Sequence, residues 1–569
     1  MAEIIGNPKL EAQRKELVEA SKKGTFAKLK TFCKFSGPGW LQSATTLGGG
    51  SLASALYLGV LGGVGFMWLQ PLAMVLGIVM LAAISYVTLS VNNRPMDEIN
   101  GQITPILGYG WALCSMFACF VFAMPQFALG VAAITQNLAQ MNPANVGIGL
   151  EAGITAAFFV LAIIMVTIYA SGGKGLKIFE LIIKLSVAAI VICFFGVVIA
   201  LTATGKIEWG RVFAGFIPNF SVLSEPSADF MVHIKKLASA DGVKFWSDMI
   251  VSQQRDVVIS AAAMAVGINM TFLFPYSMLK KGWNKDFRGL AIFDLATGLF
   301  VPFLLATSCI VIASASQFHA KAATGLSESV FVNGEIKFTA TQPAQNLVKG
   351  YVDLIDKRVA ASMPAGEFAK LQIVQKDIAR NSLPVEERNM AAMLVKRDAS
   401  NLSETLAPLV GEDVARYVFG FGVIGMAINA VLMNMLICGL CFSEILGKRG
   451  AAKWQIAGSS LIAISAIASV FFKGAKMWLV IHAGVIAMIF LPVAYAAFLL
   501  IMNSRKILGS EAPSGKRRIL WNTLMTCSVG ASSFASLWVL WNKIGAWGPA
   551  IFVMFAIAVI VSAKLKKSH

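Results

Sequence analysis

The 569-residue chain is 57% hydrophobic and 14% charged, with a mean hydropathy of +0.71, a composition that excludes a soluble globular protein and makes lipid the solvent. Its net charge of +18 falls in short clusters between apolar runs rather than along one face, so nucleic acid is not an expected partner. The apolar runs do not alternate, which excludes a membrane β-barrel.

Runs of about 20 apolar residues match the thickness of a bilayer core, and about twelve are present. They lie at 37–61, 65–91, 108–137, 147–170, 177–204, 256–280, 290–315, 416–443, 454–472, 478–502, 519–542 and 546–564. The expected fold class is an all-α polytopic membrane protein. Basic clusters at 1–36, 171–177, 280–289, 448–453, 503–518 and 564–567 fall on alternate loops. The positive-inside rule therefore predicts a plasma (cell inner) membrane protein with both termini cytoplasmic. The basic segment 1–36 lacks the pattern of a removable signal peptide. The chain divides into that segment, spans one to five (37–204), an outer loop (205–255), spans six and seven (256–315), an outward-facing helical insertion (316–415), spans eight to ten (416–502), and the last two spans with a cytoplasmic tail (503–569). Cys438 and Cys441 have CxxC spacing but stand alone in an apolar helix. Asn401-Leu402-Ser403 has the form of a glycosylation sequon.

Two spans carry breaks. In span one, Gly48-Gly49-Gly50-Ser51 follows Thr45 and Thr46 and precedes Ser54. Each glycine costs about 1 kcal/mol relative to alanine, so the run carries a penalty of roughly 3 kcal/mol that favours unwinding where polar partners are available. Span six passes Gly267, Asn269, Thr271 and Pro275, and the proline removes a backbone donor. Broken helices five spans apart predict two inverted five-helix repeats around a midplane site.

Gly37-Pro38-Gly39-Trp40-Leu41, Gly175-Leu176-Lys177, the stretch Gly425–Leu446, and Leu491-Pro492 followed by Asn503-Ser504-Arg505 resemble transporters of the natural resistance-associated macrophage protein (Nramp) family, which have the LeuT-type 5+5 fold. The resemblance extends over most of residues 37–545 outside the insertion. It implies that the family's metal-binding Asp, Asn and Met fall on Gly48, Ser51 and Asn269, and that its proton-linked His falls on Thr271. The chain therefore reads as a divergent member without the metal-binding motif.

No charged side chain occurs between Lys34 and Arg94, between Glu98 and Glu151, or between Asp256 and Lys280. A divalent ion ordinarily needs carboxylates to offset its dehydration, and the only thioether singled out at the breaks is Met270. The expected cavity is lined by Gln42, Thr45, Thr46, Gly48, Gly49, Gly50, Ser51 and Ser54 of span one, Gln126 of span three, Asn269, Thr271 and Tyr276 of span six, and Asn429 with Asn434 of span eight. Trp40, Tyr57, Trp68 and Phe272 could add apolar faces. Each of these residue types also serves as ordinary helix packing. Such a lining suits a neutral polar organic solute, a sugar first. The alternatives are a divalent metal (Mn, Fe, Mg) transporter and a membrane sensor that signals without transport. A coupling ion, H⁺ or Na⁺, is expected, with His482, Glu180, Lys184 and Asp294 as titratable candidates. No cofactor and no catalytic constellation is expected, so the chain does not read as an enzyme.

Overall fold

A charge-free apolar run in lipid must satisfy its backbone donors within itself, and helix is the solution open to a single segment. The computed structural model describes residues 8–35, 38–142, 145–171, 181, 185, 192, 195–339, 341–398, 400, 401, 403, 411–472 and 475–568. Among these, 11 helices are long and apolar enough to cross a membrane, and the polytopic all-α expectation is borne out. Most of span five, with Glu180 and Lys184, lies outside the described residues.

Both expected breaks are present. Span one consists of a half on the terminal side, Pro38–Thr46, and a half on the insertion side, Gly49–Gly62, with Gly48 extended between them. Span six consists of Ala240–Ala265 and Ile268–Lys280, separated by the extended pair Val266 and Gly267. Its first half starts at Ala240 rather than at 256, because the charged residues of its first turns lower the hydropathy without interrupting the helix. Span eight (Glu412–Ile445) packs along span three (Pro105–Leu138), and large rings such as Trp111, Phe127, Phe272 and Phe274 fill the shared core. Before span one, the helices Pro8–Lys22 and Thr25–Phe35 form a hairpin tied internally by Lys34–Glu16 at 2.9 Å and to the loop after span six by Arg14–Asp286 at 2.5 Å.

The insertion is not purely helical. An antiparallel hairpin, Val330–Val332 with Glu335–Lys337, accompanies the helices Gln345–Ala361, Ile373–Asn381 and Val385–Leu394. Tyr351, Ile355 and Met390 are fully enclosed. The Glu387 carboxylate receives both a bidentate Arg358 guanidinium and the Trp246 indole N–H at 3.1 Å, so it fastens the insertion to the first half of span six. Asn401 of the sequon is buried, and its amide pairs with Asn346 at 2.8 and 3.1 Å, which leaves no access for a glycan. Glu387→Ala would strand a buried guanidinium. We expect it to destabilise the insertion by about 3–5 kcal/mol, read as a lower melting temperature of the purified protein, with Arg358→Met/Glu387→Leu recovering much of the loss.

Candidate substrate site

The three consecutive glycines let neighbouring spans approach the break of span one more closely than any side chain would permit. A Cβ at Gly48 would lie 2.8 Å from Ala430 Cβ, one at Gly49 2.5 Å from Gln126 Oε1, and one at Gly50 2.6 Å from Met264 Sδ. Spans three, six and eight therefore converge on the break and line a cavity of about 30 Å³. Its walls come from Thr45, Thr46, Gly48, Gly50, Phe122, Gln126, Ala263, Met264, Gly267, Asn269, Met270, Ala430 and Asn434.

The polar atoms around this space are mostly tied to one another. Asn269 Nδ2 donates to Asn434 Oδ1 at 3.0 Å, and Asn434 Nδ2 donates to Ala430 O at 2.8 Å. Thr46 Oγ1 reaches Met270 Sδ at 3.3 Å and Ala265 O at 3.4 Å. Gln126 Oε1 is the exception, a buried acceptor with no hydrogen-bond partner. Buried acceptors are rarely left so, and because the Gln126 side chain lines the cavity, a small turn of its amide would offer this oxygen to a bound species. Every lining side chain is neutral, and no group of three His, Cys, Asp or Glu side chains able to hold a metal ion occurs among the described residues.

Of the expected site residues, Thr45, Thr46, Gly48, Gly50, Gln126, Asn269 and Asn434 line the cavity. Others have structural work. Ser51 Oγ donates to Thr46 O at 2.5 Å, and Ser54 meets Ser260 of span six at 3.3 Å. Gly49 faces Gln126 from behind the lining. Thr271 donates to Ile268 O and accepts from Trp111 Nε1 at 3.0 Å, so its hydroxyl is committed to packing. Gln42 and Asn429 are buried and do not line the cavity, and both Gln42 amide atoms and Asn429 Nδ2 lack hydrogen-bond partners. The Trp40 side chain lies outside those described, and Trp68 packs on Phe220 at 5.1 Å, away from the break. The sequence reading missed Met264, Phe122 and Ala430, since apolar residues at helical spacing carry no mark of the cavity they face. Met264 matters most, because it joins Met270 as a second thioether.

Aromatic side chains pack above and below the cavity. Toward the termini, Phe272 packs on Trp111 at 4.6 Å and stacks on Tyr276 at 4.9 Å. Tyr276 does not line the cavity: its hydroxyl is 3.4 Å from Glu444 Oε2, and Glu444 is paired to Arg94 at 2.6 Å. Toward the insertion, Tyr57 packs edge-on to Trp478 at 4.7 Å. In the insertion segment above them, burial pushes the Asp398 carboxyl up to about 6. Burial, then repulsion from Lys357, pushes the Lys396 ammonium well below the usual lysine range. Of the coupling candidates, His482 is exposed and bonded to Trp478 O at 3.1 Å. Asp294 is buried and accepts the Gly39 N–H at 2.5 Å, which clamps the start of span one to span seven (Lys285–Phe318). Neither lines the cavity.

Gly50→Leu would drive a side chain into Met264. We expect binding at the cavity to be lost while the fold survives an overpacking cost of about 1–3 kcal/mol, checked by calorimetry alongside thermal unfolding.

The family model described as natural resistance-associated macrophage protein-like matches residues 388–541. Among solved structures, a mutant of the Eremococcus coleocola manganese transporter superposes with a TM-score of 0.61 at 12% identity, covering 94% of each chain. The same transporter in complex with an aromatic bis-isothiourea compound superposes with a TM-score of 0.59 at 11% identity, covering 95% of this chain and 97% of that one. No curated protein matches by sequence. The likeness to that family is thus borne out, in sequence over residues 388–541 and in fold along nearly the whole chain.

Proposed function

We propose that this chain, a membrane protein with the fold of an Nramp-type transporter, carries a transition-metal cation of the Mn²⁺ or Fe²⁺ class through the cavity between its two broken helices. The observation that carries the reading is the cavity itself. A volume of about 30 Å³ holds one or two water-sized species, since a single water needs only about 10–15 Å³. Organic ligands occupy roughly 300–1,000 Å³, so the sugar expected from the sequence finds no support in a site of this volume.

The donors fit a borderline-soft ion better than a hard one. Gln126 Oε1 offers an unshared amide oxygen, the amide oxygens of Asn269 and Asn434 would be shared with the Met270 N–H and the Asn269 amide they already accept from, and Met264 and Met270 bring sulfur. Thioethers add little for Mg²⁺ or Ca²⁺, which take oxygen shells that usually include carboxylates. One observation favours a neutral solute as the second reading: no carboxylate lines the cavity to offset dehydration.

A cation in a neutral site crosses with its charge uncompensated, so the membrane potential drives it by about 2.3 kcal/mol per charge per 100 mV. The basic clusters favour a cytoplasmic terminal side, and the contacts of Arg449 with Asp97, and of Lys285 and Arg288 with Glu511, bring several of these clusters together.

Calorimetry of the purified protein with MnCl2, MgCl2 and glucose tests the cargo. Mn²⁺ should bind, and Met264→Leu/Met270→Leu, a nearly volume-conserving change, should weaken it at least tenfold. Glucose binding without Mn²⁺ binding would reverse the assignment. In proteoliposomes, Mn²⁺ uptake should follow an imposed K⁺ diffusion potential without acidifying the lumen; acidification in step with uptake would restore proton coupling.

A further inference from the structure

A domain that merely covered a membrane protein would turn its charges outward. The insertion does the opposite at Val395–Asp398, the extended segment after its helix Val385–Leu394. Lys396 donates to Gln253 in the first half of span six, and its ammonium sits 3.4 Å from the Trp478 ring centroid and 5.9 Å from that of Tyr57. Arg397 is buried, donating to Met393 O and Lys321 O at 3.0 Å each, with its guanidinium 4.8 Å from the Phe318 ring. Its carbonyl accepts the Tyr57 hydroxyl at 2.8 Å. Asp398 accepts the Met477 backbone N–H at 3.0 Å. Among the described residues neither Lys396, which is half-buried, nor Arg397, which is buried, has an ion-pair partner, and holding two adjacent cations inward in this way carries a desolvation cost that aromatic faces and carbonyls only partly offset.

These contacts are placed over the route to the cavity. Tyr57 lies 8 residues beyond Gly49 in the insertion-side half of span one, about 12 Å along the helix. Gln253 belongs to the first half of span six, and Met477 and Trp478 begin span ten (Lys476–Met502). A segment bonded to all three elements must part from at least two of them before that route opens. The body of the insertion is fixed to span six through Glu387 and Trp246, so the Tyr57 and Met477 bonds are the ones positioned to break. A cavity of about 760 Å³, with Lys396 and Asp398 in one wall and Lys349 and Asp353 in another, adjoins the segment and gives it room to withdraw.

We infer that Val395–Asp398 is the insertion-side gate of the transporter, with Lys396 as its tip, so that the insertion takes part in the transport cycle rather than capping it. The inference rests on the transport reading above but not on which cargo is carried. Thr45→Cys, in the cavity wall, reports access when cells are treated from outside with a membrane-impermeant methanethiosulfonate, with the parent chain giving the background. The gate should protect it, and adding Tyr57→Phe/Lys396→Ala should raise the labelling rate at least tenfold without loss of the thermal unfolding transition. Equal rates with and without the gate substitutions would overturn the proposal.

The second arm keeps Tyr57 and Lys396 in place. Oxidising Asp398→Cys/Met477→Cys should cross-link the segment to span ten across the bond that must break, stop Mn²⁺ uptake, and release it on reduction; undiminished uptake by the cross-linked protein would also overturn the proposal. If the parent chain moves no cargo at all, the transport reading fails by itself, and the labelling rates still decide whether the segment closes the path.

Discussion

The structure turns on missing Cβ atoms at Gly48, Gly49 and Gly50. Any side chain there would collide with Ala430, Gln126 or Met264, and the spans bearing those residues would stand off from the break. The same close approach makes the cavity small and determines its chemistry. An unwound segment exposes carbonyls, and here hydroxyls answer some of them: Ser51 bonds Thr46 O, and Thr46 reaches Ala265 O across to the other broken helix. The roughly 3 kcal/mol that three glycines forfeit in helix propensity is thereby offset by contacts that only the broken geometry allows.

A cation at this point meets no formal negative charge, yet the backbone is not indifferent to it. The half-helices Pro38–Thr46 and Ala240–Ala265 both end at the break, and helix C-termini carry partial negative charge. Such a site holds a dehydrated ion less tightly than one built on carboxylates. For transport that is workable, because a binding site on a pathway must also release. Selection then depends on which ions accept sulfur and amide oxygen in place of water, and so on Met264, Met270 and Gln126 rather than on a charge at Gly48.

The helical fold and the two breaks were legible because they follow from backbone chemistry: long charge-free runs must be helices in lipid, and glycine and hydroxyl clusters within them must do something else. The cavity was legible only in part. Thr45, Thr46, Gln126 and Asn269 were found as polar residues near the breaks, but successive helical residues are turned by about 100°. Thr271, two residues past Asn269, is turned by about 200° and meets Trp111; Tyr276, seven residues on, returns to the same face but stands about two turns further along the helix, where it meets Glu444. Periodicity cannot show which apolar face meets a partner, and so Met264 stayed hidden. The start of span six was misplaced for a different reason: its helix continues past the charged residues Arg255 and Asp256 to pack beneath the insertion, where hydropathy ceases to report on structure.

The two closures around the cavity differ in kind. On the terminal side, Tyr276 meets a carboxylate already held by Arg94, so that closure is an ion-pair network at the edge of the membrane, open to competition from water. On the other side, Lys396 stands among rings over the path. Burial disfavours the charged form of Lys396, so the seated tip closes the path by bulk, through its bond to Gln253 and its contacts with the Tyr57 and Trp478 rings. Passage requires the whole segment to move aside, which ties opening of the path to a movement of the insertion.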